Sequence, residues 1–118
     1  MKTKYLFCIV LILSSCYKDA PEPGYYFIHT EFSGQPSYNT FAQIVISETT
    51  KDHIIIEGSK LKKKGKKVSG TFVLEGYDLT IDGVLNKGPD KGLYSIEGTC
   101  VLNVSGSAIE GNFNISDF

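Results

Sequence analysis

The sequence predicts an all-β fold: an antiparallel meander of seven to eight strands, curled into a small barrel or a flattened sandwich. Three observations predict it. First, an aliphatic residue, a polar or acidic residue and a glycine recur as Ile56-Glu57-Gly58, Val68-Ser69-Gly70, Ile81-Asp82-Gly83, Ile96-Glu97-Gly98 and Ile109-Glu110-Gly111, with the glycines 12, 13, 15 and 13 residues apart. Second, a turn-forming sequence lies near each midpoint between successive glycines. Third, apolar and polar residues alternate on both sides of each glycine, and no stretch of 3.6-residue period competes.

The elements follow in chain order. Tyr25 to Phe32 alternates Tyr26, Ile28, Thr30 and Phe32 against Tyr25, Phe27, His29 and Glu31. Both sets are mixed, so its inward face stays open. Ser33-Gly34-Gln35-Pro36-Ser37-Tyr38-Asn39 reads as a loop. The strand Thr40 to Ser47 then matches Ala42, Ile44 and Ile46 with Gly58, Ile56 and Ile54 around Glu48-Thr49-Thr50-Lys51-Asp52. The next hairpin tip falls in Lys63-Lys64-Gly65-Lys66, and the one after it at Gly76-Tyr77, a Gly-X pair suited to a type II′ turn. Gly88-Pro89-Asp90-Lys91-Gly92 and Ser105-Gly106-Ser107 supply the last two turns.

This register sets Gly58, Gly70, Gly83, Gly98 and Gly111 roughly opposite one another as a structural row. Opposed residues of antiparallel strands share a face. The glycine face therefore carries Ile54, Ile56, Val68, Phe72, Leu74, Leu79, Ile81, Leu85, Tyr94, Ile96, Cys100, Leu102, Ile109, Phe113 and Ile115. The other face carries Glu57, Ser69, Thr71, Glu75, Asp78, Thr80, Asp82, Glu97, Asn103, Glu110, Asn112 and Asn114, with Val73 and Val84 as exceptions. A one-residue slip would invert a strand, so the register is strongly specified. Glycine within a strand costs about 0.5–1 kcal/mol relative to alanine. Five copies imply a reason, either sharp curvature over the apolar face or a groove where a ligand or a second backbone comes close.

The recurring Ile-acidic-Gly-Thr type of strand, over about 60 residues, resembles the lipocalin-like domains of small Bacteroidota lipoproteins. The likeness implies a barrel-like fold. The glycine-x-tryptophan signature of true lipocalins is missing because the chain has no tryptophan, which leaves both a packed interior and a ligand pocket open.

The N-terminus indicates location. Met1-Lys2-Thr3-Lys4 is cationic, Tyr5 to Leu13 is apolar, and Leu13-Ser14-Ser15-Cys16 closes the segment. Nine apolar residues at about 1.5 Å each are too few to span a bilayer, so the run reads as a secretory h-region. Leu13-Ser14-Ser15-Cys16 resembles the lipobox of bacterial lipoproteins. That resemblance implies a signal peptide over residues 1–15, lipidation of Cys16, a tether over 16–24 and a single all-β domain over 25–118. A cysteine followed by Lys18-Asp19 also resembles the surface-export context of Bacteroidota lipoproteins. The implied location is the outer membrane, lipid-anchored, in either leaflet.

Composition narrows the function. Without the leader, 10 lysines stand against 13 acidic residues, a formal charge of −3, and arginine is absent. Neither fact favours nucleic acid or a bidentate anion site. With Cys8 lost in the leader and Cys16 lipidated, Cys100 has no partner for an intramolecular disulfide.

Several local features invite a functional reading. Lys60, Lys62, Lys63, Lys64, Lys66 and Lys67 lie within eight residues at an expected hairpin tip. They suit contact with an anionic partner such as lipid phosphates or acidic glycan, or else solvation and protection against edge pairing. Tyr25, Tyr26, Phe27, Phe32, Tyr38 and Phe41 crowd the first third, as a sugar-stacking or protein-contact surface or as a plug for the core. His29 and His53 stand apart, Cys100 falls on the apolar face, and no nucleophile elbow or phosphate loop occurs. No catalytic residue, metal or cofactor is expected. The sequence thus points to a non-enzymatic envelope module that binds a protein or glycan. The alternatives are a lipocalin-like carrier with a small hydrophobic ligand inside the barrel, and an accessory subunit docking through an open strand edge.

Overall fold

The computed structural model describes residues 21–87 and 94–117. Eight strands form one closed antiparallel barrel, each paired with its neighbours in sequence. They are β1 (Gly24–Glu31), β2 (Thr40–Thr49), β3 (His53–Ile56), β4 (Ser59–Lys64), β5 (Lys67–Leu74), β6 (Tyr77–Lys87), β7 (Tyr94–Val104) and β8 (Ser107–Ser116). The architecture is that of a small lipocalin-like barrel. β1 closes it on β8 from Phe27↔Ser116 to Glu31↔Asn112, so no described strand offers a free edge. A sandwich and an edge-docking subunit are therefore corrected: the first strand has a partner on each side.

The alternation that predicted the strands also orients them. Of the fifteen residues assigned to the glycine face, all but the half-buried Ile109 are buried. Phe72, Ile81 and Ile96 are each 1% exposed. β1 resolves its mixed alternation by turning Tyr26, Ile28 and Thr30 inward, and Phe32 just beyond it is buried as well. The buried Thr30 hydroxyl accepts the Thr40 amide at 3.0 Å, which satisfies a polar group inside the rim. Residues 24–116 supply every described strand, and the whole core cluster of buried residues lies within them.

The glycine row requires correction. Only Gly83 and Gly98 face each other directly. Gly70 pairs with Ile81 and Gly111 with Cys100, each two residues from the expected partner, which preserves the face but staggers the row. Gly58 leaves the row altogether. Glu57 (φ 50°) and Gly58 (φ 79°) form a two-residue turn with positive φ at both positions, joining β3 to β4. That turn divides what the sequence suggested was one strand, and it accounts for the eighth. Glu75-Gly76 (φ 53°, 84°) makes the same turn in place of Gly76-Tyr77, because the type I′ geometry matches the strand twist. The β2–β3 register differs too: Ile46 pairs with Ile56, not Ile54, and a bulge between Ile46 and Glu48 absorbs the change. The expected turn at 88–92 lies outside the described residues.

The strand glycines make room for neighbours. A Cβ on Gly83 would meet the tip of the Phe113 ring at 2.6 Å, and one on Gly111 would meet Phe32 Cδ1 at 2.5 Å. A Cβ on Gly70 would meet Leu61 Cγ at 2.8 Å. At Gly98 the obstacle is backbone, with Gly83 Cα at 2.7 Å. The row therefore serves close approach of side chains and a second strand, which fills the interior instead of opening a groove.

Candidate functional site

Two surface regions and one cleft gather the residues singled out in the sequence. The first is the outer face of β1 and β2. Residues that alternate with the buried set must point outward, so Tyr25, Phe27 and His29 share a face with Phe41 and Val45 across the ladder Tyr25↔Val45, Phe27↔Gln43, His29↔Phe41. Phe27 and Phe41 stack at 5.6 Å with an interplanar angle of 6°, and the His29 ring stands edge-on to Phe41 at 6.2 Å. Phe41 is 73% exposed and Tyr25 69%. The result is an aromatic platform in water, with the Gln43 amide beside it.

The aromatic cluster of the first third is thus divided. Tyr26 and Phe32 are buried in the core, as one sequence reading expected, while Tyr25, Phe27 and Phe41 are exposed on the outer wall of β1 and β2. Tyr38 goes elsewhere, packing edge-on against Tyr77 at 6.2 Å. Sequence reasoning missed Val45 and Tyr77. The alternation Ala42, Ile44, Ile46 against Phe41, Gln43, Val45 already placed Val45 outside with Phe41.

The second region is the lysine hairpin. Its tip is Gly65-Lys66, between the facing residues Lys64 and Lys67. The basic stretch is more strand than tip: Ser59–Lys64 forms β4 because Leu61 points inward and is fully buried. Lys60, Lys62, Lys64, Lys66 and Lys67 are exposed and Lys63 is half-buried. Among the described residues no ion pair engages any of them; the two that occur are His53 Nε2–Glu48 at 2.6 Å and His29 Nε2–Glu31 at 3.8 Å. Backbone bonds hold the hairpin in place, with the Lys63 amide donating to Asp52 O at 2.9 Å and the Leu85 amide to Lys66 O at 2.7 Å.

The cleft lies at the rim where β5 turns into β6. It measures about 160 Å³ and is lined by Thr30, Phe32, Tyr38, Leu74, Tyr77 and Leu102 among others. Ligand pockets for drug-sized molecules start at about 300 Å³. Asn39 shapes its outer wall, its Oδ1 accepting the Phe32 amide at 2.7 Å.

The remaining reactive groups are structural. Cys100 is 2% exposed, and burial pushes its thiol up to about 11, so it stays protonated at neutral pH. Burial, with Asp117 and Glu22 nearby, pushes Tyr26 up to about 12, and its hydroxyl donates to Glu22 O at 2.6 Å. No group of three or more metal-ligating side chains occurs among the described residues. Cys16 lies outside the described residues. No protein-family model, curated protein or solved structure matches this chain.

Proposed function

We propose that this chain is a non-enzymatic, lipid-anchored envelope protein of the outer membrane that binds a protein or glycan partner. The observation that carries the reading is the aromatic platform of Tyr25, Phe27 and Phe41. A stacked pair across neighbouring strands adds at most about 1 kcal/mol to the sheet, and contiguous exposed apolar surface marks an interaction site. Flat rings with a neighbouring amide suit a sugar ring or an aromatic-rich protein surface. The anchor rests on the lipobox resemblance at Cys16. The carrier alternative has weaker support, since side chains and backbone fill the space beside the strand glycines and the cleft at the β5–β6 rim is small.

The test uses the full chain expressed in a bacterial envelope. Mass spectrometry of the membrane fraction should find acyl chains on Cys16, and Cys16→Ser should release the protein from that fraction. Partners captured by the wild type, or glycans bound on an array, should be lost with Phe27→Ala/Phe41→Ala while the fold survives. Undiminished binding by that double variant would remove the platform from the reading.

A further inference from the structure

The distribution of charge along the barrel axis points to a docking surface. Because neighbouring strands run antiparallel, the rim where β1 begins also carries the β2–β3 turn, the β4–β5 turn and the end of β8. Lys51, Lys62, Lys63, Lys64, Lys66 and Lys67 all sit on or beside this rim. The opposite rim carries the Glu57-Gly58, Glu75-Gly76 and Ser105-Gly106 turns and the loop after β1. There the charges among the described residues are four carboxylates, Glu31, Glu57, Glu75 and Asp78, against one lysine, Lys60, the second residue of β4. Carboxylates at the lysine rim are fewer than the lysines, and one of them, Glu48, is already held by His53 at 2.6 Å. Among the described residues at the strand ends of this rim, Asp52, Asp117 and Glu22 are the others.

The entering chain reaches the barrel at the same rim. Pro21 is buried and the Glu22 carbonyl accepts the Tyr26 hydroxyl, so the chain is fixed to the barrel by residue 21. Four residues lie between Cys16 and Pro21, so the five steps from one to the other span about 17 Å at most when fully extended. An acyl chain on Cys16 therefore holds the lysine rim, not the carboxylate rim, close to the bilayer. A handful of unpaired lysines held that near an anionic surface is attracted to it, on the order of fivefold in partitioning per lysine.

We infer that the lysine rim, built around the β4–β5 hairpin, docks on anionic bilayer headgroups, so that the barrel stands with its carboxylate rim away from the membrane. The direction of approach rests on the anchor proposed at Cys16; the headgroup affinity does not. Docking leaves the β1–β2 platform on the side wall, open to a partner.

The test separates the two. Unacylated protein of residues 21–118, which holds every described strand, is checked for folding by circular dichroism and sedimented with phosphatidylcholine vesicles with and without phosphatidylglycerol. It should bind only the anionic vesicles, and high salt should release it. Lys64→Gln/Lys66→Gln/Lys67→Gln should weaken partitioning at least about tenfold. Ser37→Glu/Asn103→Glu/Ser107→Glu makes the same net-charge change at the other rim and should have far less effect. Binding that ignores lipid charge, equal loss in both triple variants, or tighter retention by duplex DNA than by anionic vesicles would each overturn the inference. Orientation is read on the acylated full chain: a headgroup quencher should dim a dye at Lys66→Cys more than one at Ser105→Cys. Equal quenching would refute the upright pose. Failure to find acyl chains on Cys16 would remove the anchor without touching the vesicle result.

Discussion

In the β6–β8 panel the ladders run for ten consecutive pairs, from Asp78↔Asn103 to Lys87↔Tyr94 and from Ser95↔Ser116 to Val104↔Ser107. β4 meets β5 through three, Lys62↔Ser69 to Lys64↔Lys67, with two lysines facing each other at the end. Both regions turn apolar side chains inward, so the difference is in how much backbone pairing supports them and in what lies outside. The long ladders hold the Gly83–Gly98 crossing, where neighbouring backbone leaves no room for a side chain on Gly98. The short seam holds exposed lysines whose solvation competes with strand pairing. Backbone pairing is most extensive on one side of the barrel, and the lysines gather on the other. The incoming chain reaches the same rim as the β4–β5 turn, but across the barrel from it, beside the end of β8.

The largest expected effect breaks this comparison at its strongest point. Gly98→Val should cost on the order of 3 kcal/mol in urea unfolding, because its side chain has to enter space held by the Gly83 backbone. Gly58→Ala, in a turn with open space around it, should cost about 1 kcal/mol, the strain of an alanine at φ 79°. Equal costs would mean that the crossing is no tighter than a surface turn.

A middle-sized effect follows from two buried acids, Cys100 in β7 and Tyr26 in the closing strand β1. The Cys100 thiol and the Tyr26 phenol keep their protons to about 11 and about 12, while an unfolded chain releases them from about 9 and 10. Above pH 9 the unfolded state binds fewer protons, so stability falls as pH rises, by on the order of 2 kcal/mol per group before both titrate in the folded state. Urea midpoints at pH 7 and pH 10.5 should show that fall, smaller in Cys100→Ala. A midpoint that rises with pH would contradict the burial of both groups.

The smallest effect sharpens the other side of the comparison. Lys64→Glu replaces a like-charge pair opposite Lys67 with an opposite one, worth a few tenths of a kcal/mol. Hydrogen exchange of the β4–β5 amides should slow in the variant while that of β6–β7 stays unchanged. Seam amides as protected as those of β6–β7 in the wild type would erase the contrast.

Legibility in the sequence divided along the same line. Alternation from Val68 to Ile115 assigned the inner face correctly because each side chain on a strand has two choices and burial selects one. Ladder offsets were less legible: the I′ turns at Glu75-Gly76 and Ser105-Gly106 shifted two hairpins by two residues, a change that keeps every face and leaves no trace in the alternation. The candidate site was half legible. The lysines were evident, whereas the split between Tyr26 and Tyr25 was not, because both alternating sets of β1 contain aromatic rings.

By itself, the sequence determined the class of fold, the apolar face and the presence of hairpin turns, all of which depend on periods and dipeptides within one strand or turn. Only the tertiary structure decided what each acidic-glycine pair does. Glu57-Gly58 and Glu75-Gly76 turn the chain, while Asp82-Gly83, Glu97-Gly98 and Glu110-Gly111 run straight through strands. The local chemistry is the same in all five. In the strands the missing side chain is replaced by Phe113, by a crossing backbone or by Phe32; in the turns nothing lies within 4 Å. That choice belongs to the packing of distant residues, as does the closure of β1 on β8 that turned a meander into a barrel.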